Sequence, residues 1–469
     1  MTLAVIAVSQ LVVVLDLTIV NVALPDAQRD LHISDDSRQW VVTSYALAFG
    51  SLLLLGGRIA DYWGRKRAFI LGLIGFAVAS GIGGLAATGM QLFAARVLQG
   101  VFGALLAPAA LAILQVAFPA GRARAKAFSI FGAVAGGGAA VGSVTGGLLT
   151  DYANWRWCLL VNVPVVALTA IAAWRLVGES RAHGNTTYDV PGAVTATLGV
   201  GLLVFGFTTA STDGWGGTKT LVLLALGAAF LVVFVLVERR SSHPLLPLGV
   251  ILHRTRGGSY LTALLAGSGL LGSMLLLTFY MQVTLHWTPL KAGLASLPTT
   301  AVFVIGTGLT ERAMLRYGPQ RMMVFGSIVA AAGMLVLTQI SVTRPYWACV
   351  LPGQLVLGIG LCSLFIPLSS AALLDVSEHD AGAASGLLNA TQQIGGAVGT
   401  ALFSTIYASA VSAYVAAHAG DPVGTAQVHG YVVTFWWASG AMVLAAAAAV
   451  FLIRIGRDAL HDETPIAHL

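Results

Sequence analysis

The chain consists of successive apolar stretches, most near twenty residues long, joined by short polar connections. No other feature restricts its fold so strongly. The stretches fall at roughly 3–24, 39–57, 68–88, 90–118, 127–150, 157–177, 190–210, 219–237, 259–283, 292–310, 322–341, 346–370, 383–412 and 431–453. A helix needs about 20 mostly apolar residues to cross a bilayer, so fourteen spans are expected. Only 9% of the 469 residues are charged and 57% are hydrophobic, against about 25% charged in a soluble domain. Water would not tolerate so much apolar surface, whereas lipid does. The expected class is an all-α integral membrane protein, and its 55 glycines suit helices that approach closely without a hydrophobic drive between them.

The first stretch lacks a basic leader and runs too far for a signal peptide, so it reads as a span. Connections between even and odd spans, with the C-terminal tail, carry 18 of the Lys and Arg residues; the alternate loops carry 6. That bias places both termini in the cytoplasm. The same topology accounts for a pI near 9.4 without nucleic acid as a partner. The longest connections, near 239–258 and 413–430, are about 20 residues and hold no soluble domain. No phosphate-binding G-x-x-x-x-G-K-[ST] loop occurs, which excludes ATP hydrolysis by this chain. Cys158, Cys349 and Cys362 are far apart and imply neither a metal nor a redox site.

Shifting the sequence by 254 residues superposes Arg58, Gly64, Arg67 and Gly72 on Arg312, Gly318, Arg321 and Gly326, and Gly132 and Gly142 on Gly386 and Gly396. Two parallel six-helix bundles with two extra helices between them explain that offset. The division is then 1–178 for the first bundle, 179–240 for the extra helices, 241–258 for a cytoplasmic linker, and 259–469 for the second bundle with its tail. Two such halves around a midplane site form an alternating-access architecture.

Ionisable groups inside the bilayer are costly, so each calls for a reason. Asp16 is the acid well inside a span, Arg96 is the base inside one, and Glu311 lies at a cytoplasmic span end. Asp16 precedes Pro25 by about 13 Å of helix, and Arg96 lies about 10 Å below the outer start of its span, so the two share a depth. Desolvation favours a neutral carboxyl and a nearby Arg favours the charged one, so a change in their separation would load or release a proton. A static ion pair is the alternative. The segment 57–67 is the densest signal, with Gly57, Arg58, Asp61, Gly64, Arg65 and Arg67 suited to a cytoplasmic gate. Polar and aromatic residues within spans are the substrate-cavity candidates: Gln10, Asn21, Tyr45, Gln99, Gln115, Asn162, Tyr280, Gln282, Gln354, Asn389, Gln392 and Gln393. A mainly apolar cavity suits amphipathic, neutral or weakly cationic organic compounds.

The loop 57–67 resembles the motif between helices two and three of the major facilitator superfamily, and Arg96 with Gln99 and Gly100 resembles its fourth-helix motif. The glycine run 132–147 is similar to the fifth-helix motif of its exporters, with Gly-Ala at 138–139 where Gly-Pro is usual. Leu15 to Pro25 looks like the first-helix signature of its fourteen-helix drug:proton antiporter branch, and His243 to Leu248 also resembles that branch. The resemblance implies a major facilitator fold and proton-driven export of drug-like molecules across a bacterial cytoplasmic membrane. It assigns Asp16 and Arg96 to coupling and Asp61 to the gate, and it implies no cofactor beyond the proton gradient. The partners implied are a small-molecule substrate, protons and lipid, with the protein a monomer. Leu315 stands where Asp61 would repeat in the second half, which implies a one-sided gate. The same machinery would serve an exporter dedicated to one endogenous metabolite. No pairing of nucleophile and base suggests an enzyme.

Overall fold

The computed structural model describes residues 1–34, 37–118, 122–181, 189–241, 253–372 and 381–455. Among them the regular elements are all helical: α1 Thr2–Asp30, α2 Trp40–Trp63, α3 Arg65–Gly84, α4 Gly89–Ala117, α5 Arg122–Tyr152, α6 Trp157–Leu160, α7 Asn162–Leu176, α8 Val190–Asp213 and α9 Thr218–Arg240. They continue with α10 Arg254–Phe279, extended by a π-helical turn Tyr280–Thr284, then α11 Pro289–Ala295, α12 Leu297–Tyr317, α13 Pro319–Leu337, α14 Tyr346–Ala372, α15 Ala381–Ala417 and α16 Val423–Leu452. Twelve helical segments among the described residues are long and apolar enough to cross a membrane. The helices α2 (24 residues) and α5 (31 residues) stand at the two other expected positions. The segment His243 to Leu248 and the acidic residues Asp375, Glu378 and Asp380 lie outside the described residues.

Helix ends outrun the apolar windows. Helix α10 starts at Arg254 instead of 259, and α15 and α16 reduce the connection expected over 413–430 to 418–422. Helical hydrogen bonding continues through the interfacial layer, where hydropathy has already fallen. The starts are locally encoded: Thr88 accepts the Gln91 amide at 3.3 Å, Asp189 accepts that of Gly192 at 2.8 Å, and Thr288 caps α11 ahead of Pro289.

Packing repeats at the offset seen in the sequence. In the first half α3 packs on α4, α2 on α4, and α1 on α5; in the second, α13 packs on α14, α12 on α14, and α10 on α15. The turn between α2 and α3 uses Gly64 at φ 126°, and the matching turn between α12 and α13 uses Gly318 at φ 84°. A Cβ at Gly72 would lie 3.0 Å from Leu106 Cβ, and one at Gly326 would lie 2.7 Å from the Gly360 carbonyl. Residues 106 and 360 are themselves related by the same shift.

The halves meet at the end where α1 and α5 finish. There Gln282 Nε2 donates to the Val22 carbonyl at 2.9 Å, the Leu290 amide donates to Asp151 Oδ2 at 3.1 Å, and α5 packs on α11 and α12. Helices α8 and α9 pack on each other, and α8 also lies across both halves. Val200 and Val204 of α8 bury against Ala46 of α2 and Ala397 of α15. Thr197 Oγ1 donates to the Ser51 carbonyl, and Thr405 Oγ1 of α15 donates to the Phe207 carbonyl, both at 3.3 Å.

Candidate functional site

Five polar side chains from four helical segments converge on one buried point. The Asp16 carboxylate of α1 accepts from Arg96 Nη1 of α4 at 2.5 Å through Oδ2. Its Oδ1 accepts from Gln99 Nε2 and from Asn162 Nδ2 of α7, each at 3.0 Å. Gln99 Nε2 also donates to Ser80 Oγ of α3 at 2.7 Å, and its Oε1 accepts from Arg96 Nη1 at 2.8 Å. Arg96 is held further by the Val41 carbonyl at 2.9 Å and by the Tyr45 ring, whose centroid is 4.5 Å from the guanidinium carbon. Asp16, Gln99 and Ser80 are fully buried, and Arg96 and Asn162 almost so.

An acceptor-only carboxylate suits this arrangement, since every neighbour within hydrogen-bond reach donates to it. A proton on Asp16 turns one oxygen into a donor and removes the charge opposite Arg96. The pair that ties α1 to α4 would then weaken. A buried ion pair gains little net stability over apolar packing of the same volume, whereas removing one partner alone is costly. The similar depth of Asp16 and Arg96 is legible from the sequence. The parts played by Ser80 and the Val41 carbonyl are not, because a serine inside a span and a backbone oxygen carry no distinguishing pattern.

The gate candidates sit at the other end of the first half. Arg58 Nη1 reaches Tyr62 Oη at 3.4 Å, and Gly57 would bring a Cβ to 3.5 Å from Pro108. Beyond Gly64, the start of α3 is met by the chain leaving α7. Glu179 Oε1 accepts the Lys66 amide at 3.1 Å, the Ser180 carbonyl accepts the Arg65 amide at 2.9 Å, and Arg67 lies 3.6 Å from Glu179 Oε2. Lys66 Nζ donates to the Trp174 carbonyl at 2.7 Å. A carboxylate at the start of α3 also faces the favourable end of the helix dipole. Glu179 is a functional candidate that sequence reasoning missed, being over a hundred residues from the segment it holds. The side chain of Asp61 lies outside the described residues.

The cavity candidates divide by what already occupies them. Gln99 and Asn162 belong to the Asp16 network. Tyr280 donates to the Ser341 carbonyl at 3.0 Å, Gln354 accepts from Tyr346 at 3.3 Å, and Gln282 joins the halves. Gln10, Gln115, Gln392 and Gln393 are half-buried, and Asn389 and Glu311 are exposed. Asn21 Oδ1 and Tyr45 Oη are buried without a hydrogen-bond partner among the described residues. No group of three or more metal-ligating side chains occurs among the described residues.

A family model described as Major Facilitator Superfamily matches residues 6–400. The chain is 47% identical over 468 residues to the puromycin resistance protein pur8 of Streptomyces alboniger, covering 98% of this chain and 92% of that one. It is 38% identical over 416 residues to the cephamycin export protein CmcT of Amycolatopsis lactamdurans, covering 87% and 86%. It is 32% identical over 411 residues to the tetracenomycin C resistance and export protein of Streptomyces glaucescens, covering 87% and 76%. In fold it is similar to the crystal structure of the POT family transporter PepTSo, at a TM-score of 0.69 and 14% identity over 98% of this chain and 99% of that one.

Proposed function

Because this chain belongs to the Major Facilitator Superfamily, we propose that it is a proton-coupled antiporter that exports drug-like or antibiotic small organic molecules. The observation that carries coupling is the buried Asp16 carboxylate bound by Arg96, Gln99 and Asn162. The direction and cargo class rest on the resistance and export relatives. In this reading the chain crosses a bacterial cytoplasmic membrane fourteen times with both termini inside. The two six-helix bundles, 1–178 and 259–469, rock about a shared cavity, and 179–240 supplies the added helices. No cofactor is used, and one copy suffices.

Protonation from outside releases Asp16 from Arg96 and permits the inward-facing rearrangement; loss of the proton to the cytoplasm restores the pair. The segment 57–67 and Glu179 hold the cytoplasmic end of the first half in one arrangement. Asn21, Gln10, Gln115, Gln392 and Gln393 supply sparse polar contacts to an amphipathic cargo.

The test is efflux of a fluorescent cationic dye from proteoliposomes under an imposed pH gradient, wild type against Asp16→Asn. Loss of gradient-driven movement in the variant supports the reading. Equal activity removes Asp16 from coupling and directs the search to Glu311. A dedicated exporter of one endogenous metabolite is the second reading, favoured by relatives whose names each specify a single compound. Correctly folded protein that moves no dye, but moves one native compound, would select it.

A further inference from the structure

Arg38, immediately before α2, is a cation buried at the seam between the halves, with only 8% of its surface exposed. Its guanidinium carbon lies 4.0 Å from the Phe279 ring centroid and 5.5 Å from that of Tyr407. Both rings belong to the other half, on α10 and α15. The wall they form continues into Tyr431, 4.7 Å from Tyr407, and then Tyr280, 5.8 Å from Tyr431. Phe279, Tyr280 and Tyr431 are buried, and Tyr407 is 9% exposed. The wall stands beside the Gln282 contact with Val22, at the end where the halves touch.

An aromatic face attracts a cation through its ring quadrupole, by an amount that grows as water is excluded. The attraction acts on a guanidinium and on the cationic group of an organic cation alike. When the halves part at this end, Arg38 leaves with the first half while Phe279 and Tyr407 stay with the second. The wall is then vacant and faces the opening. We infer that Phe279 and Tyr407 form an exit-side site for the cationic group of a departing organic cation, and that Arg38 is its built-in competitor. Cargo leaving the cavity rests on the wall; as the end recloses, Arg38 returns and displaces it outward. The site thereby disfavours rebinding during the return step. This inference rests on the export reading and adds an exit-side site to it.

The test uses purified full-length protein in detergent at one pH, with radiolabelled tetraphenylphosphonium as cation and triphenylphosphine oxide as a neutral comparison. Arg38→Ala and the more conservative Arg38→Gln should each bind the cation about two- to thirty-fold more tightly than wild type. Adding Phe279→Leu and Tyr407→Leu should abolish the gain, while binding of the neutral compound stays unchanged throughout. Unfolding temperature, measured on every variant, confirms that the compared proteins are folded. Unchanged cation binding in both folded Arg38 variants overturns the inference. So does a gain that survives removal of the rings, or an equal gain for the neutral compound. Dye efflux by wild type is measured in parallel: efflux with no cation gain overturns the exit site alone, whereas absent dye efflux overturns the reading as an exporter of drug-like cations on which the exit site rests.

Discussion

Replacing Asp16 by Asn separates the structural role of the buried pair from its role in coupling. Asparagine keeps the size of the side chain and one acceptor oxygen, which preserves a bond from Gln99 or Asn162. Its amide nitrogen, however, would face Arg96 Nη1, which now lies 2.5 Å from a carboxylate oxygen. Arg96 is then a charge with 1% exposure and no counter-ion. Removing one partner of a buried pair costs about 3–5 kcal/mol. Arg96 retains the Gln99 and Val41 oxygens and the Tyr45 ring, which places the loss at about 3 kcal/mol, the low end of that range. Adding Arg96→Met removes the stranded charge, so the double variant should recover most of the lost stability while still failing to pump. The assay is denaturant unfolding of the detergent-purified proteins beside gradient-driven dye efflux. Stability unchanged in Asp16→Asn would refute the energetic argument, and wild-type efflux by the double variant would refute the coupling argument.

Gly64→Ala forces a side chain into φ 126° and a Cβ to 2.8 Å from Glu179 Oε1, and should cost about 1–3 kcal/mol in the same unfolding assay. Gly326→Ala drives a Cβ to 2.5 Å from the Leu364 amide nitrogen and should lower stability by about 1–3 kcal/mol. Gly137→Ala meets nothing within 4 Å and should raise it by up to about 1 kcal/mol; a reversed order of these two would refute the packing argument. Glu179→Gln should shift stability by less than about 1 kcal/mol because its pair with Arg67 is partly exposed, and a larger loss would mean that the contact is no surface bridge. Cys158, Cys349 and Cys362 are buried, so a membrane-permeant maleimide should label the folded protein slowly and the SDS-unfolded protein fast.

Much of the architecture is legible because a bilayer makes hydropathy a strong signal. The apolar runs locate the helices, and the 254-residue shift anticipates the matching turns at Gly64 and Gly318 and the matching crossings at Gly72 and Gly326. Depth counting from Pro25 puts Asp16 level with Arg96, since rise per residue is a property of any helix. What is illegible depends on which faces meet. Nothing local in Arg38 announces Phe279, and nothing in Glu179 announces Lys66. Tyr280 and Gln354 hydrogen-bond within the protein, and a polar atom in a span has no sequence mark separating such an internal bond from a ligand contact. The breaks at Val161 and Ser296 escape hydropathy, because the apolar run continues through them.

The placement of α8 makes the molecule laterally unequal. Two seams separate the halves, one between α2 and α15 and one between α5 and α11–α12. Only the first is roofed, by α8 with α9 behind it. Among the described residues no added helix covers the second. Among the described residues the α5 flank is therefore closed by the two halves alone, with Gly293 against the Ser143 carbonyl and Gly147 against Leu290, so any parting of those contacts would leave nothing behind them, whereas the α2 flank keeps a further layer.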